Sequence, residues 1–148
     1  MIDIGTGGRG LGAILVMMVA IWLWSILLKD ASLVDRYWGL GVVLLGWVYL
    51  QRSGGWDGAP GPARLVVLLV TIWGLRLSLF LTWRNWGQGE DYRYRAMRGV
   101  HGGQFWWRSL FSVFVLQGVL AWVIATPLLV AVTRPAASDK GPWLVLGM

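Results

Sequence analysis

Residues 11–28, "LGAILVMMVAIWLWSILL", run for 18 positions without a charge. An α-helix rises 1.5 Å per residue, so this length just crosses a hydrocarbon core about 30 Å thick. In lipid the backbone must satisfy its own polar groups, and a single segment does that as a helix. Three more such runs follow. They are roughly Val34 to Leu50, "VDRYWGLGVVLLGWVYL"; Leu65 to Trp83, "LVVLLVTIWGLRLSLFLTW"; and about Leu110 to Val132. Turn formers separate the second from the third in "QRSGGWDGAPGPAR". After "TRPAASDKGP" the chain turns apolar again as "WLVLGM", six residues that read as the opening of a fifth helix. The expected fold class is all-α: a polytopic transmembrane helix bundle, with four spans plus the start of a fifth. Residues 1–148 form one membrane domain, read as the N-terminal half of a larger bundle. The first run does not read as a signal peptide. "MIDIGTGGRG" before it holds one acid and one base, and no small-residue cleavage site follows.

Composition supports the membrane reading. Apolar residues make up 57% of the chain and charged residues 14%, too little polar surface for a soluble domain. The 12 tryptophans suit membrane–water boundaries. There is no cysteine, which excludes disulfides, thiolate metal sites and cysteine nucleophiles. His101 is the only histidine, so a self-contained haem site with paired axial histidines is not expected, nor is any metal site. The net charge of +6 is read as loop cations meeting anionic membrane lipids, not nucleic acid. Loops after the first and third runs hold Lys29, Arg36, Arg84, Arg93, Arg95, Arg98 and Arg108. The opposite side holds Arg9, Arg52, Arg64, Arg134 and Lys140. The bias puts the 84–108 loop in the cytoplasm and the N-terminus outside.

One glycine motif is rejected. "GTGGRG", residues 5–10, matches G-x-G-x-x-G, but that fingerprint needs a preceding strand within a βαβ unit. Here it reads as a flexible terminus.

Polar residues inside the spans are candidates for function. Asp35 lies about one turn into the second run. At 100° per residue it shares a face with Gly39, Val42, Gly46 and Tyr49, and small residues on that face point it into the bundle. It is read either as a functional carboxylate or as an interfacial one that pairs with Arg36 or Lys29 or caps the helix. Arg76 lies about two turns inside the third run, on a face with Trp73, Phe80 and Trp83; Thr71, Gly74, Ser78 and Thr82 form a small-residue stripe opposite. A buried Asp35–Arg76 pair is expected. Gln117 is read as a hydrogen-bonding contact between helices, and Pro127 as a kink or an end of regular helix. Trp106 and Trp107 read as an aromatic belt.

"RNWGQGEDYRYRAMR", residues 84–98, is the densest polar segment. Arg84, Arg93, Arg95 and Arg98 suit phosphate. Asn85, Gln88, Glu90 and Asp91 accept from hydroxyls or amines. Trp86, Tyr92 and Tyr94 offer ring faces, and Gly87 and Gly89 let the backbone turn. This inventory fits a nucleotide. It also fits an anchor in which "YRYRAMR" lies as a short helix on anionic headgroups.

"SLVDRYWGLG", "WGLRLSLFLTWRNWGQGEDYRYRAMR" and "FWWRSLFSVFVLQGVLAWVIATPLLVA" resemble bacterial membrane proteins of unknown function related to steroid 5-alpha-reductases. The resemblance runs from about Ser32 to the end of the chain. It implies a bacterial inner-membrane protein with an NADPH cofactor and a lipid-like substrate, steroid or enone, whose activated carbon–carbon double bond is reduced. It implies a substrate-holding carboxylate at Asp35. The place of the family's span-three tyrosine falls at Trp73, which has no phenolic proton, and Arg76 lies beside it. It implies cofactor contacts at Arg84, Asn85, Glu90, Asp91, Tyr92, Arg93 and Tyr94, with Arg95 and Arg98 left to lipid headgroups. Most of the family's cofactor residues lie in C-terminal helices, so this chain is expected to be inactive alone, joined by those helices or by a second copy. Two other readings stand beside it: a fragment of a related membrane methyltransferase, and a non-enzymatic packing or assembly subunit.

Overall fold

The computed structural model describes residues 4–133, and all regular structure among them is helical. The expected opening of a fifth helix lies outside the described residues. Four segments are long and apolar enough to cross a membrane: Gly5–Leu28, Leu33–Arg52, Gly61–Arg84 and Tyr92–Ile124. The first three belong to helices α1 (Ile4–Leu28), α2 (Leu33–Arg52) and α4 (Gly61–Arg84), with a one-turn α3 (Gly55–Gly58) between the last two.

α1 starts earlier than its apolar run, and residues 5–10 are helical rather than a loose terminus. The cause is packing. Thr6, Gly7 and Gly10 are buried, and Trp122 Nε1 donates to the Gly7 carbonyl at 2.8 Å. A Cβ on Gly10 would lie 2.6 Å from Tyr49 Cε1, so only glycine lets α1 approach α2 there. The motif's amides thus belong to a helix, not to a phosphate loop.

α2 is the centre of the bundle, touching α1 on one side and α4 and the last described helix (Thr126–Thr133) on the other. Gly39, Val42, Gly46 and Tyr49 are buried, as their shared face requires. α4 buries its small-residue stripe at Gly74 and Ser78 and leaves Trp73, Arg76, Phe80 and Trp83 exposed. The two helices cross at Gly39 and Gly74. A Cβ on Gly39 would stand 2.8 Å from the Gly74 carbonyl oxygen, and one on Gly74 would stand 2.7 Å from that of Gly39. Backbones this close gain packing that larger residues would deny them.

The fourth crossing is not one regular helix. After α5 (Tyr92–His101) the chain turns at Gly102, φ 51°, and α6 (Phe105–Ser109) opens the apolar part five residues before the expected Leu110. A π-helical turn, Leu110–Val115, follows against α1. Ser109 Oγ and Ser112 Oγ donate to the Trp106 and Arg108 carbonyls at its start, competing with the backbone ladder. α7 (Leu116–Ile124) seats Gly118 on Met18. Regular helix ends at Ala125, and α8 (Thr126–Thr133) begins with Pro127 in its first turn. Pro127 has no N–H for the Val123 carbonyl, and Thr126 Oγ1 donates to it instead at 2.6 Å. Gln117 makes no hydrogen bond among the described residues, so the expected interhelical contact is not formed.

Candidate functional site at the Lys29 end of the bundle

One end of the bundle gathers the end of α1, the start of α2, the end of α4 and all of α5. Four of the seven acidic residues lie here: Asp30, Asp35, Glu90 and Asp91. The chain leaves α4 at Asn85 and reverses through Gly87 and Gly89, both at positive φ (73° and 70°), as an αL backbone needs. Asp91 then caps α5, its side chain accepting from the Arg93 amide at 2.9 Å. This reversal lays α5 back over the α1–α2 turn.

Three ionic clamps hold it. Asp30 accepts from Arg36 at 2.9 Å and from the Ser32 amide and hydroxyl, which fixes the α1–α2 turn. The Glu90 carboxylate, only 7% exposed, accepts from Arg98 at 2.7 and 3.1 Å and from the Ala31 amide at 2.9 Å. The Arg98 guanidinium also donates to the Lys29 carbonyl and lies 4.5 Å over the Phe105 ring. Third, Asp35 accepts from Arg93 at 3.0 Å and from the Tyr94 hydroxyl at 3.1 Å, while Arg93 also pairs with Asp91.

The Asp35–Arg76 pair expected from the sequence is therefore not made. Arg76 stands on the exposed face of α4, whereas Asp35 is turned to α5. The division among arginines changes too. Arg98 is held by Glu90 and is not free for lipid headgroups. Arg95 instead lines a cleft of about 200 Å³ with Ser32, Asn85, Gln88, Gly89, Glu90, Asp91 and Tyr92. Arg84 is exposed, its guanidinium near the Phe80 ring and the Asn85 side chain. Trp73 packs edge-on against Trp38, away from this end. The structure thus brings Asp35, Arg93 and Tyr94 together, sets Asn85, Asp91, Tyr92 and Arg95 beside them, and leaves Trp73 and Arg76 elsewhere.

Hydrogen bonding to Arg93, first through its side chain, holds the Asp91 carboxyl below the usual carboxylate range. A folded pKa below the unfolded one gives stability that is full above the unfolded value, about 4, and is lost as pH falls through the folded value. Protection of the α5 amides from exchange, relative to the unstructured rate at each pH, should hold from neutral pH to about pH 5 and fall below about pH 4. Asp91→Ala should abolish that step, and an unchanged acid step in the variant would remove Asp91 as its source.

These features define a polytopic membrane protein whose polar chemistry is concentrated at one end of its helices. The chain belongs to the family described as "Protein of unknown function (DUF1295)", whose family model matches residues 21–148, a range that includes the whole polar end. No curated protein and no solved structure matches the chain.

Proposed function

We propose that this chain forms a membrane bundle and one cofactor-facing wall of an NADPH-dependent reductase, acting on an activated carbon–carbon double bond in a lipid-like substrate. The observation that carries this is the Tyr94–Asp35 hydrogen bond beside the Arg95 cleft. The resemblance to steroid 5-alpha-reductases asks for a carboxylate and a phenol at the substrate carbonyl. Trp73 cannot be that phenol, but α5 supplies one at Tyr94. An ionised carboxylate only accepts, so Tyr94 gives its one O–H to Asp35 here. To serve a substrate carbonyl that O–H would turn from Asp35 to the carbonyl oxygen, and Arg93 would add positive charge where an enolate oxygen gains negative charge.

The cleft fits part of a nucleotide. Arg95, which has no ion-pair partner among the described residues, provides a phosphate-binding fork. Asn85 and Gln88 add amides, and Tyr92 adds a ring. About 200 Å³ is below the 300–1,000 Å³ typical of ligand pockets, so the cleft accounts for one portion of a dinucleotide and not the whole. NADPH, when bound, supplies hydride. The cation excess at this end favours the cytoplasmic side, where that cofactor is found.

One observation favours a second reading. Arg93 and Arg98 are both satisfied by acids of the same chain, as in a packing or assembly subunit. Titration of the full-length protein with NADPH and, separately, with S-adenosylmethionine decides the matter. Saturable NADPH binding alone is the expected result. Binding of S-adenosylmethionine alone would transfer the site to a methyltransferase, and binding of neither would leave the packing role.

A further inference from the structure

A second polar feature lies away from this end, in the face of α4 that no other described helix covers. Arg76 sits eight residues before Arg84, about 12 Å along the helix and only about 5 Å from its middle. Among the described residues it has no hydrogen bond, ion pair or ring contact. A guanidinium at such depth must reach the interface, find a counter-charge or draw water to it. Reaching the nearer interface is opposed by geometry, because a helical Cα–Cβ bond tilts towards the N-terminus, here towards the bilayer centre. A snorkelling cation runs its stem along apolar surface to bring the head to water, and here that stem starts out directed inward.

The described residues offer Arg76 no counter-charge. Among the described residues Asp35 is the one carboxylate within the four spans, and Arg93 and Tyr94 already hold it. A second copy would bring the same occupied carboxylate. Arg76 nevertheless lines a depression of about 250 Å³ with Trp73, Leu77 and Phe80. Trp73 is 44% exposed and Phe80 49%, so both present ring surface outward. One cation set among apolar and aromatic walls, open towards lipid, is the complement of an anion carried on an apolar chain or ring.

We propose that Arg76, Trp73, Leu77 and Phe80 form a lateral binding site for a lipid carboxylate: a long-chain or fused-ring acid that enters from the bilayer. A planar carboxylate matches the bidentate guanidinium fork, and the aromatic walls take the adjoining hydrocarbon. A two-chain phospholipid fits less well: its phosphodiester stays ionised and anchored at the interface about 10 Å above this depth, whereas a carboxylic acid can cross the hydrocarbon protonated and ionise against the guanidinium. The site is independent of the NADPH reading and stands or falls separately.

The test is photolabelling of the purified protein in lipid nanodiscs, with the labelled residues mapped by mass spectrometry. The probes are a diazirine-bearing fatty acid, the corresponding fatty alcohol and a diazirine-bearing phosphatidylglycerol. The expected result is acid labelling within residues 73–80, with the alcohol and the phospholipid labelling weakly. Arg76→Gln should cut acid labelling about tenfold or more through loss of the charge-assisted fork, while Arg76→Lys, which keeps the charge but not the fork, falls between the two. The lysine variant guards against a folding defect in the glutamine variant. Equal labelling by acid and alcohol overturns the proposal, as does labelling that Arg76→Gln leaves unchanged. Preferential labelling by the phospholipid, or none by the acid in wild type, overturns it also.

Discussion

Gly74→Leu will unseat α4 from α2 at a cost of about 3 kcal/mol or more. The Cβ of any replacement would stand 2.7 Å from the Gly39 carbonyl oxygen and would also strike the Val43 side chain. A side chain at that place meets backbone, which cannot rotate aside, so the helices must separate. The contact between α2 and α4 is the most extensive in the bundle, and its loss strips the packing that holds Gly39 and Ser78 inside. Unfolding in mixed micelles by a denaturing detergent reads the change. Gly12→Ala is the control: nothing lies within 4 Å of a Cβ there, and alanine is the better helix former. The control is expected to be neutral or slightly stabilising. If both variants unfold alike, the close crossing is not what holds α4.

The second large effect is at Glu90. Glu90→Ala removes the acceptor for the Ala31 amide and for two Arg98 donors at once. A buried pair broken on one side costs about 3–5 kcal/mol. Arg98 is 40% exposed and recovers water, so about 2 kcal/mol is the expected loss. The loss falls locally: α5 lifts from the α1–α2 turn, and amides of residues 29–32 and 92–98 exchange faster while those of α1, α2, α4 and α7 do not. Glu90→Gln keeps one acceptor and lies between. Uniform acceleration across all four spans would contradict a local clamp.

The bundle was largely legible in the chain. Long apolar runs with few or no charges marked the spans, and glycine spacing in α2 and α4 marked the faces that meet. Those signals are local: a helical period and the size of side chains. Asp35's partner was not local. Arg93 and Tyr94 reach it from 58 and 59 positions away, through a reversal whose end depends on two positive-φ glycines and the Asp91 cap. Arg76 looked nearer in depth but stands on a face of α4 turned from α2. The Glu90–Arg98 pair is eight residues apart across a loop and a helix, a spacing no helical period suggests. The signal that was available is the Asp91 cap, with an acid at the start of "DYRYR" and cations after it. It marks where α5 begins, and so which arginines point back.

NADPH binding to the full-length protein, compared with its Arg95→Gln variant, bears most directly on the role of the polar end. Among the described residues Arg95 has no ion pair to break, so its loss removes a cleft cation without loosening the fold. The dissociation constant is expected to rise about tenfold, with Arg84→Gln, outside the cleft, changing it far less. Equal NADPH affinity in wild type and Arg95→Gln would contradict that role.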